Sequence, residues 1–335
     1  MKKYIYLAVA LGCLTACSND DTPQDTLIAE GETLPLQLTA TVDDMGVTRA
    51  GTALQTSAVA KGNMVGVYVL DYKDDNTEGD NPYRTTYNTS KANLMLEAQS
   101  NGSLTSTTTY YWPADGNKIK IFAFCPRQSE WTLTGTSNTF TVLDDQSAAS
   151  GYADAALTTP SGYLLSDLMT GQANDGKSVA RTGAAVPVKF RHVLSKVTVN
   201  LVQGTGLDIN TVNGVYIMNT KVKGAVTMLN NQISGVAPAT GSLSPEIHIG
   251  TNKNSCSGII IPQTVTGSTQ FIKVTTSDGG TYIWPMAAAG QTFAGGYEYK
   301  YTITLNLYSL SVTSTVEPWS AGNGNSGETG TIKHV

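Results

Sequence analysis

Few residues of this chain could do chemistry, and the two most informative lie near its start. Cys17 closes the tetrad Leu14-Thr15-Ala16-Cys17, after Lys2, Lys3 and an apolar run from Tyr4 to Leu14. That run is too short to span a bilayer as a permanent helix. Its order of basic, apolar and small residues is that of a secretory signal, here ending in the box of a bacterial lipoprotein. Cleavage before Cys17 would expose a thiol able to carry a diacylglyceryl group, and an acyl chain such as palmitate on the freed amine would complete a stable anchor. Residues 1–17 are therefore read as a lipoprotein signal with Cys17 as the lipidation site; the alternative is an ordinary signal with a chance cysteine. The acidic "SNDD" that follows resembles the tag that sends some outer-membrane lipoproteins to the cell surface. The second residue is Arg49, the first arginine in the chain, set among Gly46, Val47, Thr48, Ala50, Gly51 and Thr52. Such a stretch has little to bury and extends easily into a protease cleft, so Arg49–Ala50 is a candidate cleavage site.

Elsewhere the search for reactive groups finds little. The three histidines are His192, His248 and His334. His192 is expected to make a structural hydrogen bond. Ser195, three residues on, would face the other side of a strand. No nucleophile elbow, zinc-protease helix, phosphate loop or Cys–His metal spacing occurs, so no catalytic residue, metal ligand or cofactor is assigned and no enzymatic activity is expected. In "DYKDDNTEGD" (71–80), Asp74, Asn76, Glu78 and Gly79 imitate half of a calcium loop, but its twelfth position is Thr85 rather than a bidentate Glu. A solvated hairpin tip is the better reading. Setting Cys13 and Cys17 aside with the leader leaves Cys125 and Cys256, one in each half. A bridge is open to them in an exported protein, but two buried free thiols are favoured because a domain boundary separates them.

Charge is informative once divided. Residues 18–48 hold seven acidic side chains (Asp20, Asp21, Asp25, Glu30, Glu32, Asp43, Asp44) and no Lys or Arg. Taking away those seven, together with Lys2, Lys3 and Arg49, from totals of 26 acidic and 21 basic residues leaves 19 acidic and 18 basic from Ala50 onward. A near-neutral body has no basic face for nucleic acid and does not strongly repel copies of itself.

The elements that must position these residues are strands. Short alternating runs bounded by Gly, Asn and Asp recur: "MVGVYVL" (64–70), "KIKIFAF" (118–124), "KVTVNLV" (196–202), "GVYIMNT" (214–220), "SGIIIPQ" (257–263), "YEYKYTITLNL" (297–307) and "LSVTSTV" (310–316). They predict an all-β protein built of sandwiches, with at most a short helix at Ser166–Met169. About 285 residues after Arg49 are comfortable as two tandem sandwich domains, 50–188 and 189–335, with a seam near 180–190. Each half carries a Tyr-x-Trp-Pro tetrad, Tyr110–Pro113 and Tyr282–Pro285. Core packing at a strand end is the expected role of these aromatics, and a platform for stacking glycans the sharper one.

Residues 34–42 alternate as Leu34, Leu36, Leu38, Ala40 and Val42, a half-buried strand that opens the folded body. Pro35 is tolerated at an edge or strand start. Losing such a strand would expose several hundred square ångströms of apolar surface, on the order of 5–10 kcal/mol at about 25 cal/mol per Å², comparable to a domain's whole stability. A permanent first strand followed by an ordinary loop arginine is the bland alternative.

Several stretches together resemble the fimbrillins, two-domain subunits of type V pili made as lipoprotein precursors: the box ending at Cys17, the Arg49–Ala50 junction, "YYWPADGNKIKIFAFCP" (110–126), "FRHVLSKVTVNL" (190–201), "FAGGYEYKYTITL" (293–305) and "VEPW" (316–319). The resemblance implies transthyretin-like Greek-key sandwiches and transport to the outer membrane as a lipoprotein. It implies cleavage after Arg49 by a trypsin-like, arginine-specific protease, loss of the acidic segment 18–49 with its strand, and polymerisation by donor-strand exchange into fimbriae for cell adhesion. Other subunits are the implied partners, with a host or bacterial surface ligand as a further one. The donor is expected at the C-terminus, where "LSVTSTV" offers Leu310, Val312 and Val316, although the tail after Trp319 is glycine-rich and poor in alternation. A retained surface lipoprotein, either a pilus anchor or a glycan-binding module, is the alternative.

Overall fold

The computed structural model describes residues 33–42, 58–72, 83–84, 93–114, 116–132, 138–147, 161–229, 232–241, 243, 246–307, 309–318 and 329–333. The chain is almost entirely β. In its first half run β1 (Leu38–Val42), β2 (Met64–Tyr72), β3 (Tyr83–Arg84), β4 (Leu94–Ala98), β5 (Ser103–Thr105), β6 (Ile119–Cys125), β7 (Thr139–Thr141), β8 (Met169–Ala173) and β9 (Val186–His192). All but β7 form one sheet in the order β3-β2-β4-β5-β1-β9-β8-β6, and a further pairing of β6 with β2 closes seven of these strands into a hydrogen-bonded circuit. Closing a sheet on itself removes its unpaired edges.

The second half contains β10 (Ser195–Gln203), β11 (Val212–Met218), β12 (Lys223–Leu229), β13 (Gln232–Pro238), β14 (Glu246–Gly250), β15 (Ser255–Ile260), β16 (Gln263–Val265), β17 (Gln270–Thr276), β18 (Thr281–Pro285), β19 (Gln291–Phe293), β20 (Tyr297–Asn306), β21 (Ser309–Pro318) and β22 (Thr329–Lys333). They pair as β15-β10-β20-β21-β22, β14-β11-β17-β18 and β16-β19, while β13-β12 is joined by β7 from the first half. The chain leaves the first sheet after His192 and enters the second at Ser195, so a division at 188/189 falls inside β9. The helix expected at Ser166–Met169 is found one turn earlier, at Gly162–Ser166, because the Ser161 hydroxyl caps it by accepting the Leu164 N–H. Met169 already belongs to β8.

Strand β6 explains how the halves pack. Its residues are buried almost without alternation, because both faces are covered. Ile119, Ile121, Ala123 and Cys125 fill the inside of the circuit with Val65, Val67 and Val69 of β2. Phe122 and Phe124 point outward with Tyr68 and Leu70 into a second core shared with Phe140, Ile217 and Phe271. Tyr68 donates its hydroxyl to the Trp131 carbonyl at 2.7 Å, satisfying the one polar atom this aromatic brings inside.

Candidate functional site

The opening strand is an interior member of the first sheet. Along one side β1 runs parallel to β9, pairing Leu38 with Val186 through to Val42 with Phe190. Along the other it runs antiparallel to β5, pairing Leu38 with Leu104 and Thr39 with Ser103. The pairing continues upstream: Pro35 bridges Tyr111, the Leu36 N–H donates to the Tyr110 carbonyl at 2.8 Å, and the Trp112 N–H donates to the Leu34 carbonyl at 2.9 Å. Pro35 is accommodated because it precedes the strand, not because the strand is an edge. At the β4–β5 turn the Ala40 N–H donates to the Gly102 carbonyl at 2.7 Å. Gly102 holds φ at 82°, and a Cβ there would stand 3.3 Å from the Ala40 carbonyl, so the turn lies against the strand only as glycine.

The alternation of the segment is honoured side chain by side chain. Leu38, Ala40 and Val42 are 3%, 2% and 5% exposed, and Leu34 and Leu36 pack, partly buried, on the same core. Thr41, between them, faces outward and is exposed. The next outward positions along β9, Lys189 and Arg191, are exposed cations, and Lys189 stands 3.6 Å from Asp175. Withdrawing residues 34–42 would therefore open one apolar trough with a ladder edge on each flank, 102–112 on one side and β9 on the other.

Other residues singled out in the sequence fall as follows. Cys17, Arg49, Ala50, residues 73–80 and His334 lie outside the described residues. Among the described residues no group of three or more His, Cys, Asp or Glu could hold a metal ion. His192 makes its structural contact with the buried Asp167, Nδ1 to Oδ1 2.8 Å. His248 stacks on Tyr216 with 4.8 Å between centroids, its Nδ1 3.7 Å from Asp145. Trp112 and Trp284 are core residues, 4% and 6% exposed, so neither offers a face to a sugar ring. Trp284 instead packs against Tyr301 at 5.0 Å and Phe271 at 6.1 Å. Strand β21 is not free: all ten of its residues pair with β20, and Ser309–Thr313 pair with β22 on the other side. The β22 pairing was not foreseen; only Ile332 in the glycine-rich tail hints at it.

Cys125 and Cys256 are both free and buried, in different cores. Burial pushes the Cys125 thiol well above its ordinary value, with the Asp167 carboxylate adding to the effect, and burial pushes Cys256 up to about 11. Since the thiolate is the reactive form, neither cysteine of the intact chain should react with a thiol reagent at pH 8, whereas both should after unfolding in urea. Rapid labelling of either in the folded chain would contradict the burial described here.

A sequence profile described as Fimbrillin-like matches residues 48–319. The chain belongs to the Fimbrillin-like family. This fimbrillin-like chain is 28% identical over 340 residues to a Bacteroides uniformis protein named as a fimbrium subunit, Fim1C, an alignment covering 98% of this chain and 99% of that one. Its fold matches the crystal structure of a protein of the same species described as a cell adhesion protein, with a TM-score of 0.54 at 23% identity, covering 85% of this chain and 99% of the other. A Bacteroides ovatus protein described in the same way matches with a TM-score of 0.56 at 18% identity, covering 87% and 100%. The relatives are named for fimbriae and adhesion, and the family places this chain among proteins of the cell surface.

Proposed function

We propose that the chain is the precursor of a pilus subunit and that its opening strand is a temporary plug. The observation that carries this reading is the position of residues 34–42, interior to a closed sheet and hydrogen-bonded on both flanks, with Arg49 following in the sequence before the rest of the sheet. In this account Cys17 carries the lipid that holds the precursor at the outer membrane. An arginine-specific protease cuts Arg49–Ala50, and the severed strand is then retained only by its non-covalent contacts. Its departure reopens the sheet and exposes Val188, Phe190, Leu104 and Trp112 to water, a state that is stabilised by accepting a strand from another subunit. The C-terminal strand, with Leu310, Val312 and Val316, is the donor. The chain's work is mechanical, to polymerise and present an adhesive surface, and no enzymatic step enters it. We divide the body into two sandwich-like domains at 193–194, where the sheets change.

Digestion of the purified precursor with an arginine-specific protease tests this. A stable fragment beginning at Ala50 should appear, followed by ladders of oligomers that intensify with concentration. Cys125, inside the core that β1 seals, should become reactive as the plug leaves, while Cys256 stays protected. A cut chain that keeps its plug indefinitely and remains monomeric contradicts the reading. A pilus anchor that keeps both lipid and strand would share the same closed sheet, and it differs in its N-terminal residue, Cys17 rather than Ala50.

A further inference from the structure

The outer face of the first sheet carries two neighbouring rows of side chains. From β6 through β8 to β9, one row reads Phe122, Gln172, Lys189 and the other Phe124, Thr170, Arg191. Each passes from an aromatic ring through a hydrogen-bonding side chain to a cation, over two strand spacings or about 10 Å. The rings are buried against the second half, Gln172 and Thr170 are partly buried, and the two cations are exposed. A cavity of about 250 Å³ is lined by both rows, and Ile233 of β13, from the second half, contributes to its wall. It is a crevice between the halves, a usual place for a small ligand.

Charge in this crevice is one-sided. Besides Lys189 and Arg191, its lining holds the carboxylate of Asp175 and His192, whose Nδ1 contacts Asp167. Lys120 adds a third cation, its Nζ 5.2 Å from the centre of the Phe122 ring. Positive charge therefore prevails among the described groups, and a cleft lined by one sign of charge concentrates ligands of the other. The Lys189–Asp175 pair, at 3.6 Å with side chains 51% and 68% exposed, is of the weak surface kind and readily exchanged.

We propose that this crevice is a binding site for an acidic sugar, a hydroxylated ring carrying one carboxylate at the end of a surface glycan. The carboxylate lies between Arg191 and Lys189, where the guanidinium fork matches its two oxygens. Gln172 and Thr170 serve the ring hydroxyls, and the apolar side of the ring faces Phe122 and Phe124. A simple anion would use the rim alone, and a neutral sugar would leave the cations unused. The inference rests on the adhesive role given above and names the ligand class for it. None of the three strands belongs to the removable segment, so the site is already formed in the uncut precursor.

The test titrates the full-length, uncut precursor by ligand-observed NMR with N-acetylneuraminic acid, glucuronic acid, N-acetylglucosamine and sodium acetate. One of the two acidic sugars should bind about tenfold more tightly than both N-acetylglucosamine and acetate. Arg191→Gln should weaken that binding about tenfold with an unchanged melting curve. Asp175→Asn should strengthen it, by taking a competing carboxylate away from Lys189; asparagine tolerates the left-handed φ of 51° at this position. Equal binding of N-acetylglucosamine or acetate, or unchanged affinity in both variants, overturns the inference. If no acidic sugar binds while Arg-specific digestion still yields oligomer ladders, the site falls and the subunit reading stands. Acidic-sugar binding, lost in Arg191→Gln, by a chain that never assembles upholds the site and sinks the subunit reading.

Discussion

A precursor carrying Leu38→Asp is expected to lose at least about 4 kcal/mol of stability, or to fail to fold. Leu38 is 3% exposed and pairs with Leu104 on one side and Val186 on the other, so its side chain enters the circuit where two walls meet. A carboxylate there would stand in a core that, among the described residues, is made of apolar side chains such as Val186, Leu104 and Trp112, and an unpaired buried charge is among the few substitutions with so large an effect. Thr39→Asp is the matched control. Thr39 is only partly buried and belongs to the alternate face, so its cost should stay within about 1 kcal/mol. Urea midpoints of the two variants against the parent measure the difference. Equal, small shifts would show that the opening strand seals nothing.

Arg49→Ala should abolish assembly while leaving the fold unchanged. The residue stands seven positions beyond Val42 in the sequence, in a run of small residues with little to bury. What the substitution removes is the bond an arginine-specific protease can open. The variant treated with protease should show neither a fragment starting at Ala50 nor oligomer ladders, with an unchanged melting curve. Arg49→Lys separates protease classes: a trypsin-like enzyme that accepts lysine restores the ladders, a strictly arginine-specific one does not. Ladders from Arg49→Ala as strong as from the parent would mean that the plug leaves without being cut.

The contrast between what could and could not be read in the sequence has physical causes. Alternation is local, so residues 34–42 and the seven longer runs announced strands that the structure contains. The closure of β6 onto β2 pairs residues some fifty positions apart, and no local pattern encodes it. Pro35 left an edge and a strand start both open, and the structure has the strand start, because proline constrains only its own nitrogen and β1 begins three residues later. Burial on both faces of β6 gave "KIKIFAF" more aromatic content than a half-buried strand needs, a visible sign that something packs on its outside. Strand β22, Thr-Gly-Thr-Ile-Lys, escaped because it is five residues long, carries one large apolar side chain and includes a glycine, which weakens the strand signal. The tryptophans of the two Tyr-x-Trp-Pro tetrads could be weighed as core or as platform from residue type alone, and only the burial of Trp112 and Trp284 decides for the core.

The most direct test of the account is the identity of the first residue in protein recovered from assembled surface fibres. The account predicts Ala50, with residues 33–42 absent from the fibre. Finding Cys17 with its acyl chains as the first residue of subunits throughout the fibre would contradict it, because the opening strand would then be a permanent part of the sheet.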